Sequence, residues 1–157
     1  MELTAEHYVV ALALAVCLTV AAVAVHYEAL RLLSSLHPRR WGGRVNIGVL
    51  IVCIIVAHVV ESLVFALGYW LCDHGFGLGG LSGPSAQSPF AFIYFALETF
   101  TTQNLGDLQP LGASRLVASL EPLVGVILIG WSTSFTFVMM RRDWELDDRT
   151  ERDRTPK

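Results

Sequence analysis

The chain has 157 residues, 54% of them hydrophobic, and a formal net charge of −3. That apolar share exceeds the roughly 45–50% of soluble domains and is gathered in long runs, which points to a membrane protein. A small negative charge argues against a nucleic-acid partner, and three cysteines are too few for a disulfide framework.

The first apolar run extends from about Tyr8 to Leu30. Its leader carries Glu2 and Glu6 and no Lys or Arg, the wrong sign for a signal peptide, so it reads as a retained helix. Cys17 here and Cys53 in the next run behave as small hydrophobes. His26 and Glu28 fall near the end of the run and are expected to be wetted. Arg31, Arg39, Arg40 and Arg44 follow it.

The second run, from about Val45 to Leu71, holds His58 and Glu61 one helical turn apart on one face. Their first reading is a polar contact between helices and their second a proton-sensing pair. As metal ligands they are too few by themselves, and no HExxH motif accompanies them. Cys72 stands at the outer end of this run, the one cysteine placed for thiol chemistry. Asp73 to Ser88 is rich in Gly, Ser and Pro and reads as a flexible outer turret.

Ser88-Pro89 reads as a helix start, an N-cap followed by a first-turn proline. The apolar piece from Pro89 to Thr102 is too short for a bilayer of about 30 Å, which takes about 20 helical residues. It suits a re-entrant helix. The third long run, from about Leu116 to Met140, is followed by Arg141 and Arg142. Positive flanks mark the cytoplasmic side. Both clusters give one topology: N-terminus outside, 31–44 inside, 72–88 outside, C-terminus inside.

Within the third run, Glu121 is an acid at membrane depth that must face protein or water. It either joins a ring of carboxylates lining a cavity or, by preference, is a protonated acid bonded to a neighbouring helix. Pro122 frees a carbonyl one turn earlier. Gly125 and Gly130 act as hinges or as close-packing points, and packing is the better reading for Gly130. Trp41 and Trp70 suit interfacial belts, and Trp131 is expected between helices. The tail from Trp144 to Lys157 alternates acids and arginines as a solvated extension or disordered end.

The run Glu98-Thr99-Phe100-Thr101-Thr102-Gln103-Asn104-Leu105-Gly106-Asp107 lies between the short apolar piece and the third span. It resembles the pore helix and selectivity filter of the potassium channel superfamily, Thr-Thr-x-Gly-Tyr-Gly-Asp, and is closest to small bacterial one-pore-loop channels such as the pH-gated potassium channel. Arg115-Leu116-Val117-Ala118 is similar to the start of the inner helix, with Gly125 near its hinge. The first span has no counterpart there, so with the three apolar runs the resemblance implies a three-span version: an all-α membrane protein with three transmembrane helices, a re-entrant pore helix and filter loop, and a homotetrameric pore in a bacterial inner membrane.

It further implies a first unit at 1–43 (helix and cytoplasmic loop), a pore domain at 44–142 and a cytoplasmic tail at 143–157. Thr101, Thr102, Gln103, Asn104, Leu105, Gly106 and Asp107 would form the filter. Glu98, Thr99 and Tyr94 would support it, with Glu98 and Asp107 side by side. Permeant K+ or another monovalent cation would sit at Thr102, Gln103, Asn104 and Leu105, and no cofactor or resident metal is expected.

Two filter positions depart from the pattern. Asn104 replaces the first glycine, although asparagine is at ease in the left-handed region. Leu105 replaces the tyrosine and loses its hydroxyl, leaving an apolar anchor against Phe92 or Tyr94. Gln103 stands where an aliphatic residue packs and is placed to bond Glu98. These changes point to a passive cation channel with weak or altered K+ preference. A non-conducting structural or regulatory subunit is the alternative. A membrane enzyme built on His58, Glu61 and Glu121 lacks a nucleophile, phosphate loop or redox motif, so no enzyme is expected.

Overall fold

The computed structural model describes residues 4–36 and 43–154, with side chains for 4–35 and 45–145. Arg39, Arg40, Trp41 and the Arg44 side chain lie outside the described residues, as do the tail side chains beyond Glu145.

In chain order come α1 (Ala5–Leu36), α2 (Gly43–Trp70), a π-helical turn (Leu71–Gly75), β1 (Leu81–Ser82), α3 (Ala91–Phe100), β2 (Gln109–Pro110), a 3-10 turn (Gly112–Ser114) and α4 (Arg115–Arg154). Three helical stretches, Ala5–Ser35, Val45–Gly75 and Gly112–Glu145, are long and apolar enough to cross a membrane. α4 runs unbroken from the third span into the tail.

The distribution of polarity is the reverse of a water-soluble protein. Val20, Val52 and Val126 are more than half exposed, while His26, Glu61 and Glu121 are fully buried. Water would penalise such a coat of aliphatic side chains, whereas lipid tails accept it without cost.

α1 packs against both α2 and α4. Its inner face is the row Ala11, Ala15, Leu18, Ala22, all buried and spaced by three or four residues. These short side chains let the helices approach closely. Gly68 of α2 lies so near the Leu18 side chain that a methyl group there would overlap it.

The main core joins Phe65 and Tyr69 of α2, Phe95 and Phe100 of α3, and Val117, Val124 and Leu128 of α4. α3 has ten residues, too few for a stable helix in isolation. Its buried ring pair Phe95 and Phe100 ties it to the larger helices.

One boundary differs from the sequence expectation. α3 begins at Ala91 rather than at Ser88-Pro89, and its N-cap Phe90 has no side chain that can cap the helix. Ser88 instead closes the preceding turn, its hydroxyl accepting the Phe90 N–H at 3.3 Å and its carbonyl the Ala91 N–H at 3.0 Å.

The turret is also pinned rather than loose. β1 pairs antiparallel with β2, Leu81 opposite Pro110 and Ser82 opposite Gln109. Leu78 is buried, its N–H donating to the Cys72 carbonyl at 2.7 Å and its carbonyl accepting the Ala113 N–H at 2.8 Å. Gly79 and Gly112, both at positive φ, permit this apposition, since a Cβ on either would strike the backbone of the other segment. Cys72 is fully buried under this loop, which removes it from thiol chemistry.

Candidate pore-loop site

The chemistry of the site begins with how α3 ends. Thr102 N–H bonds the Thr99 carbonyl at 3.0 Å and Gln103 N–H bonds the Glu98 carbonyl at 2.8 Å. Together these form a Schellman closure, in which the residue after the cap turns left-handed. That residue is Thr102, at φ 62°. Glycine usually fills such a position, and a β-branched side chain there is strained by about 1–3 kcal/mol.

Positive φ then recurs at every second residue, with Asn104 at 39° and Gly106 at 83°. A polar amide side chain tolerates this region best after glycine, which accounts for Asn104. Residues 101–106 are all exposed. The backbone that follows α3 is thus an irregular strip offered to the surroundings of the protomer.

Behind the strip, Glu98 and Thr99 are buried on α3. The Tyr94 hydroxyl lies close to the Glu98 and Asp107 carboxyls. Glu98 and Asp107 thereby share one corner with Tyr94 as the group common to both. Each keeps one buried oxygen, Glu98 Oε1 and Asp107 Oδ1, without a partner among the described residues. The Gln103 link to Glu98 runs through the backbone.

Leu105 departs from expectation. It is 60% exposed within the protomer, where an apolar anchor against Phe92 or Tyr94 was expected.

The inner helix meets the strip differently from the sequence reading. Gly125 is the packing point: the Phe100 carbonyl lies where its Cβ would be. Gly130, expected to pack, has nothing within 4 Å of that position. Glu121 does not line a cavity. It is fully buried and accepts the Tyr69 hydroxyl of α2 in a short hydrogen bond. The adjacent Pro122 lies inside a continuous α4. It borders a groove of about 660 Å3 shared by Thr102, Asn104, Gly106, Phe95 and Ala118.

Away from this strip, His26 is a correction. Glu28 is exposed and pairs with Arg31 at 3.1 Å, but His26, two residues earlier, is fully buried and bonds Glu61. Thirty-five residues separate that pair, so no local spacing announces it. The signal available was its position four residues beyond Ala22 on the buried row of α1. Glu121 does not join His58 and Glu61, since its partner is Tyr69.

Apolar-coated helices holding a short helix whose last turn opens into an exposed left-handed strip make up the class of pore-loop membrane proteins. A family model described as "Ion channel" matches residues 48–142, more than half of the chain. The chain therefore belongs to that ion channel family, within the potassium channel superfamily, and is an all-α integral membrane protein of channel-like ion transport. α1 precedes the matched region. No curated protein and no solved structure matches the chain.

Proposed function

We propose that the chain is one subunit of a homotetrameric channel that conducts monovalent cations passively, with weak or altered preference for K+. The observation that carries this reading is the strip 101–106, exposed along its whole length with left-handed backbone at residues 102, 104 and 106. Irregular backbone at membrane depth is tolerated only where it is buried in protein or lines water. One protomer does neither, so the strip belongs on an axis shared with other copies. One loop supplies one wall, and a closed ring of head-to-tail contacts supplies the rest.

Alternation of handedness keeps successive carbonyls on one side, where they replace the water of a dehydrated ion. The C-terminus of α3 adds about half a negative charge at the base of the strip. Thr101 to Asp107 are the proposed filter, with ion positions at Thr102, Gln103, Asn104 and Leu105. Glu98, Thr99 and Tyr94 brace it from behind, and Gly125 seats the pore-helix carbonyl.

The same reading divides the chain into 1–43, the pore domain 44–142 and the tail 143–157. It sets the N-terminus outside and the C-terminus in the cytoplasm of a bacterial inner membrane. On this reading the protein is not an enzyme, and the pore itself needs no cofactor beyond its permeant ion.

Purified protein in liposomes tests this. Cation flux should follow the imposed gradient and vanish in Thr102→Ala and Asp107→Ala. Absence of flux for every monovalent cation, with tetramers intact, would assign the chain to a non-conducting subunit instead.

A further inference from the structure

Between α1 and α2, apart from the proposed filter, three chemistry-bearing side chains meet inside the bundle. Glu61 is fully buried. Its Oε1 lies 2.8 Å from His26 Nδ1 and its Oε2 lies 2.8 Å from His58 Nδ1. The two imidazoles stack with centroids 5.5 Å apart. His26 also packs on Trp131 of α4 at 5.2 Å, and His58 on Phe100 at the end of α3 at 5.8 Å.

Hydrogen bonding alone leaves this cluster unfinished. His26 Nε2 is buried with no partner among the described residues. The Glu61 carboxyl, by contrast, has an imidazole nitrogen 2.8 Å from each of its oxygens and lies inside an apolar bundle. A buried imidazole nitrogen with no partner, in a cluster whose three ligand atoms lie within 4.8 Å of one another, is the mark of an ion or water that completes a site.

We propose that His26, His58 and Glu61 bind a divalent transition-metal ion of the zinc class, which joins α1 to α2. Two imidazole nitrogens and one carboxylate are a donor set suited to zinc and its neighbours rather than to calcium or magnesium. Bonds of about 2.0–2.1 Å in tetrahedral geometry place ligand atoms about 3.3 Å apart. The three ligand atoms here lie within 4.8 Å of one another, so modest side-chain rotation closes the set. The fourth position falls to water. His58 is 17% exposed at its side chain and borders a groove of about 440 Å3 with Ile54, Ser132 and Thr136, which provides the way in.

The site stands independently of ion conduction, and its test reads metal directly. Tag-free full-length protein in nanodiscs, dialysed against Zn2+ and analysed for metal, should retain about one equivalent per chain. Co2+ in its place should give the visible bands of a tetrahedral site. Affinity should fall more than about tenfold in Glu61→Gln and His26→Ala. It should persist in His74→Ala, which removes the exposed His74–Asp73 pair as an adventitious binder. Equal metal retention in the wild type and in Glu61→Gln would overturn the proposal, as would no retention at all. X-ray absorption on the wild-type Zn2+ protein covers the case in which the variants misfold. A shell of two imidazoles and a carboxylate supports the site, whereas an all-oxygen or sulfur-containing shell overturns it.

Discussion

One residue concentrates the physical demands of the pore loop. Thr102 holds a left-handed backbone that a β-branched residue resists, and the Schellman closure of α3 enforces it. Thr102→Gly should therefore raise thermal stability by about 1 kcal/mol or more while lowering cation flux, because the proposed hydroxyl ligand is lost. Melting and flux assays on the same preparation separate the two effects.

The glycines of α4 make a paired test. Alanine is favoured over glycine in a helix by about 0.5–1 kcal/mol, so Gly130→Ala, in open space, should stabilise by that amount. Gly125→Ala should destabilise, since its methyl must displace the Phe100 carbonyl, a backbone atom fixed by the end of α3. Tyr69→Phe leaves the buried Glu121 carboxyl without its donor and should cost about 1–3 kcal/mol, read as a lower melting temperature.

At the scale of elements, the long helices were legible because twenty or more consecutive apolar residues leave few alternatives. The docking of α1 was not. Its contact row is mostly alanine, and in a helix apolar on every side an alanine row carries no hydrophobic contrast. The tight Leu18–Gly68 contact makes that docking testable. Gly68→Ala and Leu18→Ala should each lower stability, the second by about 2–5 kcal/mol. The double variant should lose less than the sum, because the added methyl occupies part of the space vacated. The turret was misjudged for a related reason. Gly and Ser signal freedom locally, yet Gly79 and Gly112 serve here to bring two backbones together.

For the whole molecule, the pore-loop motif was readable because its residues are contiguous, from Glu98 to Asp107. Partners distant in sequence were not readable: His26 with Glu61, Tyr69 with Glu121, and Phe100 with Gly125 meet only once the helices assemble. Assembly beyond the protomer gives the broadest prediction. Native mass spectrometry of detergent-solubilised protein should show four chains. Reversal potentials under mixed K+ and Na+ gradients should show a small K+ preference that Asn104→Gly increases.

The π-helical turn at Leu71–Gly75 has a consequence of its own. It accommodates one residue more than regular α geometry does, at the point where the second span gives way to the pinned loop. Each helical residue contributes about 100° of rotation, so that surplus residue sets the azimuth at which everything from Cys72 to β1 leaves the helix. Excising Asp73 would rewind the turn into ordinary helix and swing the pinned loop around the bundle, prising Leu78 from its seat while leaving the helix contacts beyond it untouched.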